Sequence, residues 1–122
     1  MTPADLEAIV TDYYSRVDSE DVDWVLALFA EDAVYDRADA RYVGKDAITR
    51  FYRGERKILG AHRLETVTAT ERTVMVNGVF AGVGHDGSAK CVGFADVWEF
   101  ADTGLIANRK TYLALGSGYV KE

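Results

Sequence analysis

Apolar residues recur at helical spacing through the first half of this chain and alternate with other residues through the second. Leu6, Ile9, Val10, Tyr13 and Val17 share one face of a predicted helix over about residues 3–18. Thr2, with Asp5 three residues on, supplies its N-cap, and Pro3 stands where a helix opens and its missing N–H costs nothing. Asp21 caps a second helix whose Val22, Val25, Leu26 and Phe29 form a stripe that Glu31 and Asp32 end. A short strand, Ala33 to Arg37, follows. Gly44 then opens a third helix carrying Ala47, Ile48, Phe51 and Tyr52, and Gly54 closes it, because glycine accepts the left-handed exit.

From His62 onward, turn chemistry at Glu71-Arg72, at His85 to Ser88 and at Ala101 to Gly104 separates four extended runs. These predict an antiparallel meander of about 62–70, 73–84, 89–101 and 105–116. Helices first and strands second imply an α+β fold with three N-terminal helices on one face of the sheet. Gly78, Gly82, Gly84 and Gly93 read as bend or bulge points that let the sheet curl. A curled sheet closed by helices encloses a pocket. Repeats and low-complexity tracts are lacking, so a single domain over 1–122 is expected.

Charge and composition narrow the function classes. A net charge of -6 with no basic stripe argues against nucleic acid as a partner, since phosphate binding rests on clustered Lys and Arg. The single cysteine, Cys91, forms no internal disulfide and no thiolate metal site, which suits a reducing cytosol. No apolar run approaches the ~20 residues that span a bilayer, and Met1 to Leu6 lacks the basic region of a leader. The expectation is a cytoplasmic protein with no membrane partner. The two histidines have no helical i, i+4 pairing, and phosphate-binding glycine loops and nucleophile elbows are missing, so neither metal nor cofactor is expected.

Candidate chemistry centres on Asp96. Along Val92, Phe94, Asp96, Trp98 and Phe100, one strand face is apolar except for a single carboxylate. Loss of solvation there favours the neutral acid, a hydrogen-bond donor, unless a cation compensates. A symmetric tight turn at Ala101 to Gly104 places Asp96 opposite Arg109, and a one-residue shift brings Lys110 there instead. Asp96 therefore reads either as a functional acid or as half of an ion pair with Arg109. Tyr13 lies on the inner stripe of the first helix, where its hydroxyl points into an apolar cavity or is satisfied within the core. His62, a lone histidine at a strand start, reads either as a structural residue, the commoner role there, or as part of the pocket mouth, and His85 falls in an exposed hairpin.

The run from Asp21 to Tyr35, followed by Gly44 to Phe51, resembles the nuclear transport factor 2-like superfamily, which includes ketosteroid isomerases and SnoaL-like cyclases. The resemblance covers nearly the whole chain. It implies a cone-shaped, curved, mainly antiparallel sheet packed on three helices, the nuclear transport factor 2-like or cystatin-like roll, around one deep apolar pocket. Relatives of this fold often dimerise through the outer sheet face, where Val79, Val83 and Val97 are placed, and a homodimer is expected. Laid on ketosteroid isomerase, Tyr13 matches the oxyanion-hole tyrosine and Phe94 to Phe100 the strand carrying its protonated aspartate. Tyr52 resembles a tyrosine that supports the first.

The same comparison exposes departures. The isomerase's general base falls on Arg37, with Asp36 one residue earlier and, by alternation, on the opposite strand face; only a bulge re-aims it. Asp39, in the following loop, is a looser substitute. Limonene epoxide hydrolase and SnoaL cyclases place an essential aspartate in the last strand, where this chain has Thr111, which tells against both. The isomerase also has an apolar residue at the position of Arg109. Tyr13, Asp96 and Asp36 are thus the catalytic candidates, and Arg37, Phe51, Tyr52, His62, Phe80, Phe94, Trp98 and Arg109 the candidates for lining the substrate. Two readings follow: cofactor-independent proton transfer, an isomerisation or cyclisation, on a small apolar or carbonyl-containing ligand; or a ligand-binding or dimeric association module without chemistry.

Overall fold

A computed structural model describes residues 1–38, 40–56, 59–83 and 87–114. Helix α1, Pro3–Asp18, opens with the expected capping box between Thr2 and Asp5. Its buried stripe is Leu6, Val10, Tyr13, Tyr14 and Val17, so the face is wide enough to bury two adjacent tyrosines. Helix α2, Val22–Leu26, is a single turn; the Asp21 side chain makes no cap and bonds Arg16 at 2.9 Å instead. The sequence reading carried this helix on to Phe29, but Phe29 begins strand β1, Phe29–Arg37. Periodicity could not separate the two, because Phe29 is buried in either element.

Strand β2, Ala40–Val43, was not foreseen; it hairpins back on β1, pairing Arg37 with Ala40. Helix α3, Lys45–Arg50, passes into a π-helical turn, Phe51–Glu55, where one regular helix was expected. The widened turn buries both Phe51 and Tyr52, neighbours that a regular helix would set about 100° apart. The remaining strands are β3, Leu59–Ala69, β4, Thr73–Val83, β5, Ala89–Phe100, and β6, Ile106–Ala114. They join one six-stranded sheet in the order β2-β1-β6-β5-β4-β3. All neighbours are antiparallel except β1 with β6. The sheet is curved and unclosed, with the helices on its concave face, the α+β architecture that the pattern predicted.

Bulges supply curvature. One lies between Leu64 and Thr66, where Gly78 pairs with Leu64; a Cβ on Gly78 would stand 2.2 Å from the Arg63 carbonyl, so only glycine fits. Another lies between Glu99 and Phe100 and alters the register expected from the turn. The turn itself is wider than assumed, since the Ala101 N–H bonds the Leu105 carbonyl at 2.8 Å with Gly104 at φ 85°. The two effects displace β6 by two residues, so Asp96 faces Thr111, not Arg109 or Lys110, and Arg109 faces Trp98. A two-residue slip leaves every side chain on its original face. Arg109 therefore still reaches Asp96, along the diagonal.

Candidate functional site

The concave face and the helices enclose a cavity of about 270 Å³. Its apolar wall includes Phe51, Phe80, Val92, Phe94 and Leu113; its polar positions are Tyr13, Tyr35, Arg37, Tyr52, Arg56, His62, Lys90, Arg109 and Thr111. Most of the sequence-predicted site residues thus meet on one surface. Asp96, Trp98 and Asp36 do not line it.

Asp96 lies behind the wall and is 1% exposed. Its Oδ2 accepts from Arg109 Nη2 at 2.9 Å and from the Tyr14 hydroxyl, and its Oδ1 accepts from Thr111 Oγ1 at 2.5 Å. Both oxygens are thus taken by donors. Of the two sequence readings, the geometry supplies the pairing with Arg109, and it leaves Asp96 outside the lining that a ligand would touch. Trp98, fully buried, donates Nε1 to the Tyr14 hydroxyl at 3.1 Å and lies under the Arg109 guanidinium at 4.4 Å from its ring centre. It supports the site from beneath.

Arg109, 5% exposed, organises the floor. Its Nη1 donates to the hydroxyls of Tyr13, at 2.6 Å, and Tyr52, at 2.9 Å. The guanidinium also stacks over the rings of Tyr13 and Tyr35, at 4.8 and 4.7 Å, contacts that favour a cation. Burial works against its charge, the Asp96 carboxyl beside it works for it, and its pKa stands well above the ordinary value. Burial raises the phenols of Tyr13 and Tyr52 while Arg109 opposes it. Tyr35 is likewise pushed up to about 12, mainly by burial. All three are neutral phenols at physiological pH.

Counting protons shows what this floor offers. Thr111 gives its hydroxyl proton to Asp96, so Tyr35, 3.1 Å from Thr111 Oγ1, must donate to it. Tyr14 gives its proton to Asp96. Tyr13 and Tyr52 face each other at 2.6 Å, and one of them donates to the other. The recipient keeps an O–H with no acceptor among the described residues. Both oxygens accept from Arg109, which makes that remaining proton a stronger donor, and both tyrosines line the cavity.

His62 forms part of the opposite wall, edge-on to Phe80 and Phe94 and beside Tyr14. Its Nδ1 lies 2.6 Å from Asp18 Oδ1, and its backbone N–H donates to Asp18 Oδ2 at 2.8 Å. Burial lowers its pKa, against the raising effect of Asp18. Arg37 lies on the cavity side of β1 with its guanidinium 5.4 Å from the Phe51 ring centre. Asp36 lies on the other side, as strict alternation requires, and bonds Arg41 at 3.2 Å. Its stretch of β1 is regular; the irregularity in that strand lies before Val34, so nothing re-aims the carboxylate. Asp39 and His85 lie outside the described residues.

Sequence reasoning passed over Tyr14, Tyr35 and Asp18. The spacing Leu6, Val10, Tyr14 is itself helical and signals Tyr14, whereas Asp18 meets His62 across 44 residues with no local sign.

Comparisons with known proteins fit this architecture. Residues 10–109 match the model of the SnoaL-like domain family. No curated protein matches the sequence. Among solved structures, a putative polyketide cyclase from Xanthomonas campestris pv. campestris is 24% identical, with 92% of each chain covered and a TM-score of 0.82. The epoxide hydrolase/cyclase-like enzyme SalBIII, of pyran ring formation in the polyether salinomycin, is 16% identical, with 92% of each chain covered and a TM-score of 0.79. An LEH-like epoxide hydrolase of M. tuberculosis is 19% identical over 92% of this chain and 84% of its own, with a TM-score of 0.78. At these identities the structures establish the shared fold. With its family model spanning most of the sequence, the chain belongs to the SnoaL-like domain family, within the nuclear transport factor 2-like superfamily.

Proposed function

We propose that this protein catalyses cofactor-independent proton transfer, an isomerisation or a cyclisation, on a small carbonyl compound held in the cavity. The observation that carries this reading is the unspent hydroxyl proton of the Tyr13–Tyr52 pair, polarised by Arg109 at the buried floor of the cavity. A carbonyl oxygen placed there gains a hydrogen bond that strengthens as the oxygen becomes an enolate. One preorganised donor of this kind is worth on the order of 10²–10³-fold in rate. The charged side chains that line it, Arg37, Arg56, Lys90 and Arg109, are all cations in a chain of net charge -6, which suits an oxygen-rich or anionic ligand. The volume falls just below the roughly 300–1,000 Å³ of typical ligand sites, and so favours a small molecule.

The SnoaL-like neighbours include a putative polyketide cyclase and epoxide hydrolase-like enzymes, which supports small-molecule chemistry of the cyclase or isomerase kind. The cavity test is conversion of cyclohex-3-en-1-one to its conjugated isomer, followed by ultraviolet absorbance. Conversion above buffer, abolished in the Tyr13→Phe/Tyr52→Phe double variant, supports the reading. Conversion that survives the double variant overturns it.

A second proposal concerns assembly. Met75, Val97 and Tyr112 stand on the convex face, where Met75 pairs with Val97 and Ala95 with Tyr112 across β4, β5 and β6, and Met75 and Tyr112 are more than half exposed. This apolar outer face supports a homodimer.

A further inference from the structure

Proton transfer needs a base, and the carboxylates nearest the floor are committed elsewhere: Asp96 to Arg109, Tyr14 and Thr111, and Asp36 to Arg41 on the far side of the sheet. His62 is differently held. Asp18, the last residue of α1, grips both its backbone N–H and its Nδ1, which fixes the ring against rotation. A neutral imidazole beside a carboxylate donates Nδ1–H, so its lone pair is on Nε2. Nε2 has no protein partner among the described residues, and the ring lines the cavity.

The groups around this ring keep it neutral and basic. Asp18 and the Tyr14 phenol face it from α1, Phe80 from β4 and Phe94 from β5; Arg109 and Arg56 act on it at longer range and disfavour a second positive charge. Asp18 offsets part of that by stabilising the imidazolium once it forms. A ring that is neutral at rest and supported when protonated is what a general base requires.

We propose that His62, oriented by Asp18, is the proton acceptor and donor of the cavity, acting on a carbonyl compound whose oxygen rests on the Tyr13–Tyr52 hydroxyl. This rests on the function proposed above. Nε2 takes a proton from the carbon next to the carbonyl; the C–H electron pair moves into the new C=C bond and the carbonyl π pair goes to oxygen, giving an enolate held by the hydroxyl proton. Nε2–H then returns the proton to a different carbon of the conjugated system, which restores the carbonyl and the neutral ring. Atoms and charge balance with no other reagent. Asp18 is a positioning residue, since it acts through His62.

Two measurements on the full chain test this. Nitrogen NMR of the labelled wild-type protein near pH 7.5 should show His62 protonated at Nδ1 and bare at Nε2, the less common tautomer; an Nε2–H ring would overturn the proposal whatever the variants do. Hydrogen exchange of cyclohex-3-en-1-one at its α-carbon in D₂O, read by proton NMR, reports the base directly, and fluorescence titration with 2-naphthol reports the oxyanion site independently. His62→Gln should slow exchange by about 10²–10⁴-fold, the range for general bases, with 2-naphthol affinity kept within about twofold. Asp18→Asn should lose part of the exchange rate and shift His62 toward the other tautomer. Exchange at wild-type rate in His62→Gln overturns the role of His62 and leaves the proposed function standing. Wild-type protein that binds 2-naphthol without catalysing exchange also overturns it, whereas failure of both binding and exchange removes the proposed function and this inference together.

Discussion

Replacing Arg109 with methionine keeps much of the side-chain volume and removes the charge, so it isolates the ion pair with Asp96. The pair lies 2.9 Å apart with side-chain exposures of 6% and 1%, too buried for solvent screening to weaken it. At an effective dielectric of roughly 20 the attraction alone is about 6 kcal/mol, but desolvation of both ions offsets most of it. What the variant measures is the cost of leaving Asp96 buried without its cation, typically about 3–5 kcal/mol. Asp96 keeps its bonds from Tyr14 and Thr111, which places the expected loss near the lower figure, about 3 kcal/mol. That is a large share of the ~5–15 kcal/mol that holds a domain of this size together. Urea unfolding followed by far-ultraviolet circular dichroism gives the value, provided the slope with denaturant is unchanged. Adding Asp96→Asn to Arg109→Met removes the stranded charge and should recover stability relative to the single variant. A loss below about 1 kcal/mol for Arg109→Met, or no recovery in the double variant, would refute the reasoning.

Tyr14→Phe takes one donor from Asp96 and leaves Trp98 Nε1 without its acceptor; a loss of about 1–3 kcal/mol in urea unfolding, with 2-naphthol binding retained, is expected. Tyr13→Phe and Tyr52→Phe should each leave a single hydroxyl whose proton is then free, so cyclohexenone turnover should fall far more in the double variant than the sum of the single losses. The lowered His62 pKa means that the native state favours the neutral ring. The stability it contributes is present above the unfolded value of 6.5 and is lost as pH falls from there through the lower folded pKa. His62→Gln should therefore lose less stability than wild type over that interval, and the acid limb of the exchange rate should disappear with it. Tyr112→Glu on the convex face should shift the protein to monomer in sedimentation equilibrium if the proposed homodimer uses that face.

The fold was readable wherever one face is buried and the other is not. Thr2, Asp5 and the stripe through Val17 set α1, and the alternation about Asp96 set β5 and its inward face. The pairing of Asp96 with Arg109 was reachable from the turn even though the register was not, because parity survived a slip of two residues. Features that depend on space and not on pattern were hidden. The π-helical turn that turns both Phe51 and Tyr52 inward leaves no period to detect, and β2 is four residues long. Arg109 was anticipated as the partner of Asp96; its grip on the Tyr13 and Tyr52 hydroxyls follows only once three separate elements have been folded together. The partnership of Asp18 with His62 was out of reach for the same reason.

The most direct test of the account is fluorescence titration of wild-type protein and of the Tyr13→Phe/Tyr52→Phe double variant with 2-naphthol, a small phenol whose oxygen imitates an enolate. Saturable one-to-one binding to wild type, weakened at least tenfold in a double variant that remains folded, is the predicted result. Equal affinity in the two proteins would contradict it, because the ligand oxygen would then not rest on the hydroxyl pair beside Arg109.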